Sequence, residues 1–301
     1  MRIGVMVDGG TAGEVVGKAR DLEVRGFDSV WVASFFGHGL EALTAMTLAA
    51  HETSRIELGT AVVPIYYHHP AALAEQAVSI QQVADGRFTL GIGLSHPFIV
   101  EDWLGMPYAK GAAKMNEYLS IIRPLLDGVA ADYTGDHYSA HADIHLADAR
   151  RVPLLSAALG PRMLKLAGEL TDGTVTYMTG LQTLENHVIP RIRSAAEAAG
   201  NPPPRIVAGG IPMALVTDVD AARAVIQEQL GGYGDVPTYS RMLDLEGAAK
   251  VADIAVVGDE TVLRRFLDRL EAIGVTDLMA SVAAIDDGAV ERTTDFLTAQ
   301  L

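Results

Sequence analysis

Eight short apolar runs, rich in Val, Ile, Leu and Gly, recur along this chain, and each is followed by a segment whose apolar residues fall at helical spacing. The runs cover residues 2–7, 29–33, 56–63, 88–93, 153–158, 173–178, 205–216 and 276–282. The helical segments after them cover residues 11–25, 40–52, 70–84, 112–126, 161–170, 184–199, 220–230 and 288–301, with a further strongly amphipathic helix at 259–273. Neighbouring parallel strands need a crossover, usually a helix, so strict alternation predicts a parallel sheet covered by helices. Eight such units in 301 residues predict an α/β fold of the closed (β/α)8 TIM-barrel type rather than an open doubly wound sheet. Two stretches break the alternation, 94–108 after the fourth strand and 231–250 near the seventh, and both read as insertions. Residues 132–146 read as a hairpin or irregular excursion, and residues 1–301 as one barrel domain.

Composition narrows the partners. A net charge of −15 opposes nucleic acid and anionic membrane surfaces, which need basic patches. The absence of cysteine excludes disulfides, thiolate metal sites and a cysteine nucleophile. The start MRIGVMVDGG reads as a first strand rather than a leader, and no apolar run reaches the length of a membrane helix. The expectation is a cytoplasmic enzyme acting on a small molecule, with no membrane partner.

In such a barrel the site is built from residues just after each strand. The stretch IELGTAVVPIYYHHP (56–70) is the most informative. Its first half is a buried strand, and its second half is too aromatic and polar for a simple connection. It therefore opens into a site whose rim is Ala61–Val62. The strand ends also present Phe35, Phe36 and His38, then Leu94, Ser95 and His96, then Leu159 and Gly160, then Thr179 and Gly180. Acids are scarce in this set. No close carboxylate pair suits glycoside hydrolysis, no GxSxG elbow suits an esterase, and the adjacent His68 and His69 make a poor metal pair. No metal site is expected. Aromatic and small residues suit a flat ring held between walls, with the chemistry supplied by a cofactor. The turn at Gly160-Pro161 opens a helix whose free N–H groups, with Arg162, can hold a phosphate, although the same turn also serves as an ordinary strand-to-helix junction. Gly91-x-Gly93 lacks the third glycine of a dinucleotide fingerprint, because His96 stands there.

The ordered set FDSVWVASFFG (27–37), RIELGTAVVP (55–64), DGRFTLGIGLSH (85–96), AALGPRMLKLAGELTDGTVTYMTG (157–180) and VGDETVLRRFLDRLEAIGVTDL (257–278) resembles the bacterial luciferase-like monooxygenase superfamily, and most of all its coenzyme F420-dependent oxidoreductase branch. The resemblance implies a barrel with a deazaflavin or flavin at its top. It implies a non-prolyl cis peptide at Ala61–Val62 backing the ring, and Gly93, Leu94, Ser95 and His96 lying along the cofactor. Leu159, Gly160, Pro161, Arg162 and Met163 would hold its phosphate, helped by Thr179 and Gly180, and Phe35 would touch the ring. Phe36, His38, Tyr66 and Tyr67 would line the substrate pocket, and His96 is the proton-donor candidate. The sugar-phosphate dehydrogenases of that branch carry an Asp-His pair where this chain has Ser34-Phe35, and a Glu where it has His96. Reduction of a C=C or C=N bond with F420 is therefore the leading expectation, ahead of an FMN-dependent two-component monooxygenase or a non-catalytic flavin-binding barrel. A homodimer is expected from the same resemblance.

Overall fold

The computed structural model describes residues 1–8 and 10–301. Its strands are β1 (Arg2–Val7), β2 (Ser29–Val32), β3 (Glu57–Thr60), β4 (Val63–Pro64), β5 (Phe88–Gly93), β6 (Ala131–Thr134), β7 (Ser139–Ala142), β8 (Leu154–Ala157), β9 (Gly173–Val175), β10 (Arg205–Leu215), β11 (Val256–Gly258) and β12 (Asp277–Val282). Eight of them close a parallel ring in the order β1-β2-β3-β5-β8-β9-β10-β12, with β12 returning to β1. The chain is a (β/α)8 barrel, as the alternation predicts. The 132–146 excursion is the antiparallel hairpin β6–β7.

Helix ends follow local chemistry. Thr11 and Glu14 form a capping box at the start of Ala12–Arg25, and Gly26 in the left-handed conformation ends that helix. Pro70 and Pro161 open their helices at the first turn, where a missing N–H costs nothing. The amphipathic helix Glu260–Ile273 buries Leu263, Phe266, Leu267 and Leu270 against the sheet.

Two features depart from the sequence reading. Strand β11 was not expected. It has three residues and pairs only with Met213–Leu215, the C-terminal tip of β10. The expected strand 56–63 is interrupted. The ladder with β5 runs Gly59↔Thr89 and resumes at Val63↔Ile92. Three residues, Thr60, Ala61 and Val62, thus stand opposite two, Leu90 and Gly91, which is a β-bulge.

The barrel interior is filled in layers. At the N-terminal end Arg205 reaches both Asp277 (2.6 Å) and Glu57 (2.7 Å), and Arg2 pairs with the same carboxylates. Above this lies Trp31, fully buried among Leu155, Val175, Val207 and Met279, with the Arg205 guanidinium 5.6 Å from its ring centroid. Gly59 has no side chain because the Trp31 ring occupies that space. The charged floor and the indole plug the barrel from below, which leaves the C-terminal mouth as the open end. No helix among the described residues is long and apolar enough to cross a membrane.

Replacing Arg205 strands two nearly buried carboxylates. Arg205→Ala is expected to lower the urea unfolding free energy by about 3 kcal/mol. Arg2→Ala, whose head group is 41 % exposed, is expected to cost about 1 kcal/mol or less.

Candidate active site

The site begins at the bulge. The Ala61–Val62 peptide bond is cis, as the family resemblance implies. The Thr60 hydroxyl donates to Gly91 O (2.9 Å) and accepts from Gly91 N (2.8 Å), replacing the interrupted ladder. A Cβ at Gly91 would be driven into the Thr60 carbonyl oxygen, and one at Gly93 would lie 2.6 Å from Val62 Cγ2. The two glycines therefore let the bulge lie flat on β5, and this close approach accounts for Gly91-x-Gly93 without any dinucleotide fingerprint. Ala61, Val62 and Ala157 present a smooth apolar wall to the mouth.

Beyond β5, Ser95 adopts a left-handed backbone (φ 63°), and His96 lines the cavity beside it. The His96 ring stacks on Phe98 at 5.6 Å, and its carbonyl accepts from the amides of Ile99 and Val100, which start the π-helical turn Phe98–Trp103. Tyr108 pins the same segment by donating to Ser95 O (3.1 Å), and Tyr66 in turn donates to Tyr108 O (2.9 Å).

A roof of three tyrosines closes the centre. Tyr177 follows β9, where the expected strand 173–178 stops early; Met178 is left-handed (φ 51°). Tyr233 and Tyr239 come from the 231–250 insertion. Their centroids lie 5.4 to 5.7 Å apart pairwise, and Tyr239 meets His96 at 5.8 Å. Burial pushes the Tyr177 and Tyr239 phenols well above their usual range, so both keep their protons. Burial pulls His96 below the ordinary histidine value, so it is neutral at pH 7.

Two adjoining spaces result, with Val62, His96, Tyr177 and Tyr239 on the walls of both. An inner chamber of about 130 Å³ is bounded by the bulge, Ser34, Phe35, His96 and the tyrosines. An outer cleft of about 430 Å³ runs from Val62 and His96 to Gly93, Leu94, Leu159, Gly160, Met163 and Arg241. Gly160 caps the helix Pro161–Leu170 without any side-chain hydrogen bond, and a Cβ there would meet nothing within 4 Å. The amides of Arg162 and Met163, in the first turn, have no carbonyl partner within the helix. The buried His187 Nε2 sits 2.7 Å from Leu159 O and fixes this turn from behind.

Ten of the expected residues thus converge on the two spaces: Phe35, Ala61, Val62, Gly93, Leu94, Ser95, His96, Leu159, Gly160 and Met163. Pro161 and Arg162 sit exposed at the helix start, outside the lining. Thr179 is fully buried and donates to Tyr177 O. Gly180 packs against Glu246, whose carboxylate accepts from the amides of Gln182 (3.1 Å) and Thr183 (2.7 Å). The start of the helical segment after β9 is therefore already capped by a carboxylate. Phe36 is 44 % exposed and rests on Tyr67, His38 is exposed against Phe35 and Trp103, and Tyr66 and Tyr67 brace the rim outside both spaces. Sequence reasoning missed Tyr177, Arg241 and His187. The Gly/Tyr-rich composition of 231–239 pointed to Tyr233 and Tyr239 only as part of a pocket loop. Among the described residues no acidic and histidine cluster could hold a metal ion.

A barrel mouth that joins an unfilled helix start to a flat apolar wall suits a phosphorylated planar molecule. Residues 1–288 match the model of the luciferase-like monooxygenase family, and the chain belongs to that family. An F420-dependent glucose-6-phosphate dehydrogenase of Kineococcus radiotolerans is 30 % identical over 201 residues, covering 62 % of this chain and 59 % of that protein. A 5,10-methylenetetrahydromethanopterin reductase of Methanolobus tindarius is 28 % identical over 212 residues, covering 70 % and 64 %. The chain thus spans about three fifths of the length of these curated relatives. The solved F420-dependent tetrahydromethanopterin reductase of Methanopyrus kandleri shares the fold, with a TM-score of 0.79 at 20 % identity over 100 % of this chain and 98 % of that one.

Two outcomes follow from this geometry. Gly91→Ala is expected to destabilise the protein by about 2 kcal/mol in urea unfolding, because backbone rather than a mobile side chain must yield. His68, His96 and His187 all have pKa values lowered mainly by burial from 6.5. Below pH 6.5 the unfolded chain binds more protons than the folded one, so stability is complete above that pH and falls as pH drops through the depressed values. The urea midpoint is expected to fall between pH 7.5 and pH 5.5, with a shallower fall in His96→Gln.

Proposed function

We propose that this chain is a coenzyme F420-dependent oxidoreductase that reduces a C=C or C=N bond of a small organic substrate. The observation that carries the reading is the outer cleft, whose walls include both the open helix start at Gly160 and Val62 of the apolar wall. The residues fit the cofactor. The amides of Arg162 and Met163, with the Arg241 guanidinium, supply donors for a phosphate, and Ala61, Val62 and Ala157 give a planar ring a wall without polar atoms to desolvate. The space over Gly160 is open, whereas a barrel that had lost its cofactor would have it filled by side chains.

When bound, the reduced deazaflavin supplies a hydride. The chain's own residues position and protonate. The bulge and Phe35 confine the reacting face, the tyrosine roof limits water above it, and neutral His96 can relay a proton, gaining one from solvent on its free ring nitrogen as it releases its N–H proton to the reduced substrate. The acid and histidine of a sugar-alcohol oxidation are missing at Ser34 and Phe35, which favours the reductive direction. A homodimer belongs with this reading.

Fluorescence titration with F420 and with FMN, each oxidised and reduced, tests it. Micromolar or tighter F420 binding with weak FMN binding is expected, weakened about tenfold in Arg241→Ala. A preference for reduced FMN with oxygen uptake would replace this reading by a two-component monooxygenase, and binding of neither would overturn both.

A further inference from the structure

Charge is divided unevenly between the two spaces. The outer cleft carries Arg241 on its wall. Among the described residues the inner chamber is lined by no Asp, Glu, Lys or Arg. Asp8, near enough to act on Tyr177, is exposed and does not line the chamber. The chamber's polar groups are instead the Ser34 and Ser95 side chains, neutral His96 and three phenols.

We infer that the inner chamber receives an uncharged, mostly apolar substrate that presents one hydrogen-bond acceptor, a carbonyl oxygen or imine nitrogen, to the hydroxyls of Tyr177, Tyr233 and Tyr239. An anion entering this space would lose its water with no cation to replace it, and a phenol can satisfy an acceptor but brings no charge to offset that loss. The same holds for a cation, since no carboxylate lines the walls. The protonated state that burial enforces on Tyr177 and Tyr239 makes them donors, and the two rings, one after β9 and one in the insertion, meet at 5.7 Å on the chamber wall. The remaining walls, Met6, Val62, Ile99 and Met279, are apolar. Next to Phe35 at the mouth stand the rings of Phe98 and Trp103, 38 % and 49 % exposed, an apolar approach for an apolar molecule. A chamber of about 130 Å³ suits a single small ring. A sugar phosphate, the substrate in the name of one relative, would place two negative charges where this chain has none to meet them.

The inference rests on the oxidoreductase reading only in taking the inner chamber as the place where the substrate sits, and the test separates the two. Ligand-observed NMR is used to measure binding of 2-cyclohexen-1-one and 2-cyclopenten-1-one, each beside a carboxylate of matched ring size (1-cyclohexene-1-carboxylate and 1-cyclopentene-1-carboxylate), and of glucose 6-phosphate. Samples are prepared with and without oxidised F420, whose own binding is followed by fluorescence. The ketones are expected to bind at least tenfold tighter than the carboxylates and than glucose 6-phosphate. Tyr177→Phe and Tyr239→Phe, which keep the rings, are expected to weaken ketone binding at least threefold, and by a larger factor than they weaken F420 binding. Ser34→Arg, which adds a cation to the chamber, is expected to shift the preference toward the carboxylates. Carboxylate or phosphate binding as tight as the ketones, ketone binding untouched in both tyrosine variants, or no ketone binding to protein that does bind F420 would each overturn the inference. Tyrosine-dependent ketone binding in protein that fails to bind F420 would uphold it and sink the cofactor assignment instead.

Discussion

The mouth of this barrel depends on two missing side chains. Gly91 and Gly93 let Thr60, Ala61 and Val62 collapse onto β5, and the Thr60 hydroxyl then takes both hydrogen bonds that the broken ladder leaves at Gly91. A side chain at either glycine would lift the bulge into the cavity. Everything the mouth can do starts from this flat wall, because Val62 borders the inner chamber and the outer cleft alike. Below it, Trp31 and the Arg205 network fill the barrel so that the wall has a solid base. A packed floor and an open top are what the (β/α)8 architecture offers a ligand.

The insertions decide the electrostatics above that wall. Segment 94–108 holds His96 by stacking on Phe98, and segment 231–250 delivers Tyr233, Tyr239 and Arg241. Burial of His96, Tyr177 and Tyr239 in this cluster of rings keeps those three groups in their neutral forms. The one guanidinium on these walls, that of Arg241, lines the outer cleft with Gly160 and does not line the inner chamber.

Glu246 marks a difference in how the two helix starts of the mouth are used. Its carboxylate occupies the amides of Gln182 and Thr183, so the segment after β9 is satisfied from within the protein. The helix after β8 has no such cap, and its first turn opens on the cleft. An anion is therefore favoured at the second and opposed at the first, by the same dipole argument applied to two different surroundings.

Much of the fold was legible in the chain because it is written in local period. Val, Ile and Leu runs alternating with helical spacing gave the eight units, and caps such as Thr11 and Gly26 gave helix ends to within two residues. The bulge was not legible in the spacing, because 56–63 reads as one apolar strand; only the family resemblance placed the cis bond at Ala61–Val62. Neither was strand β11, because three residues carry no period and its only partner is the tip of β10. Nor was the roof: nothing local in Thr176-Tyr177-Met178 says that the strand ends there, or that Tyr177 meets two tyrosines from the far side of β10. The exchange of emphasis from Arg162 to Arg241 has the same origin. Arg162 was the visible cation beside the turn, but its side chain stays outside the cleft, while the helix Pro237–Glu246 packs across and brings Arg241 to the wall. The sequence by itself determined the barrel, its open end and the strand that organises it, since those follow from spacing and backbone chemistry within a few residues. Which side chains share one cavity, and which carry charge there, was decided only by the tertiary structure, because it depends on where two long insertions come to rest.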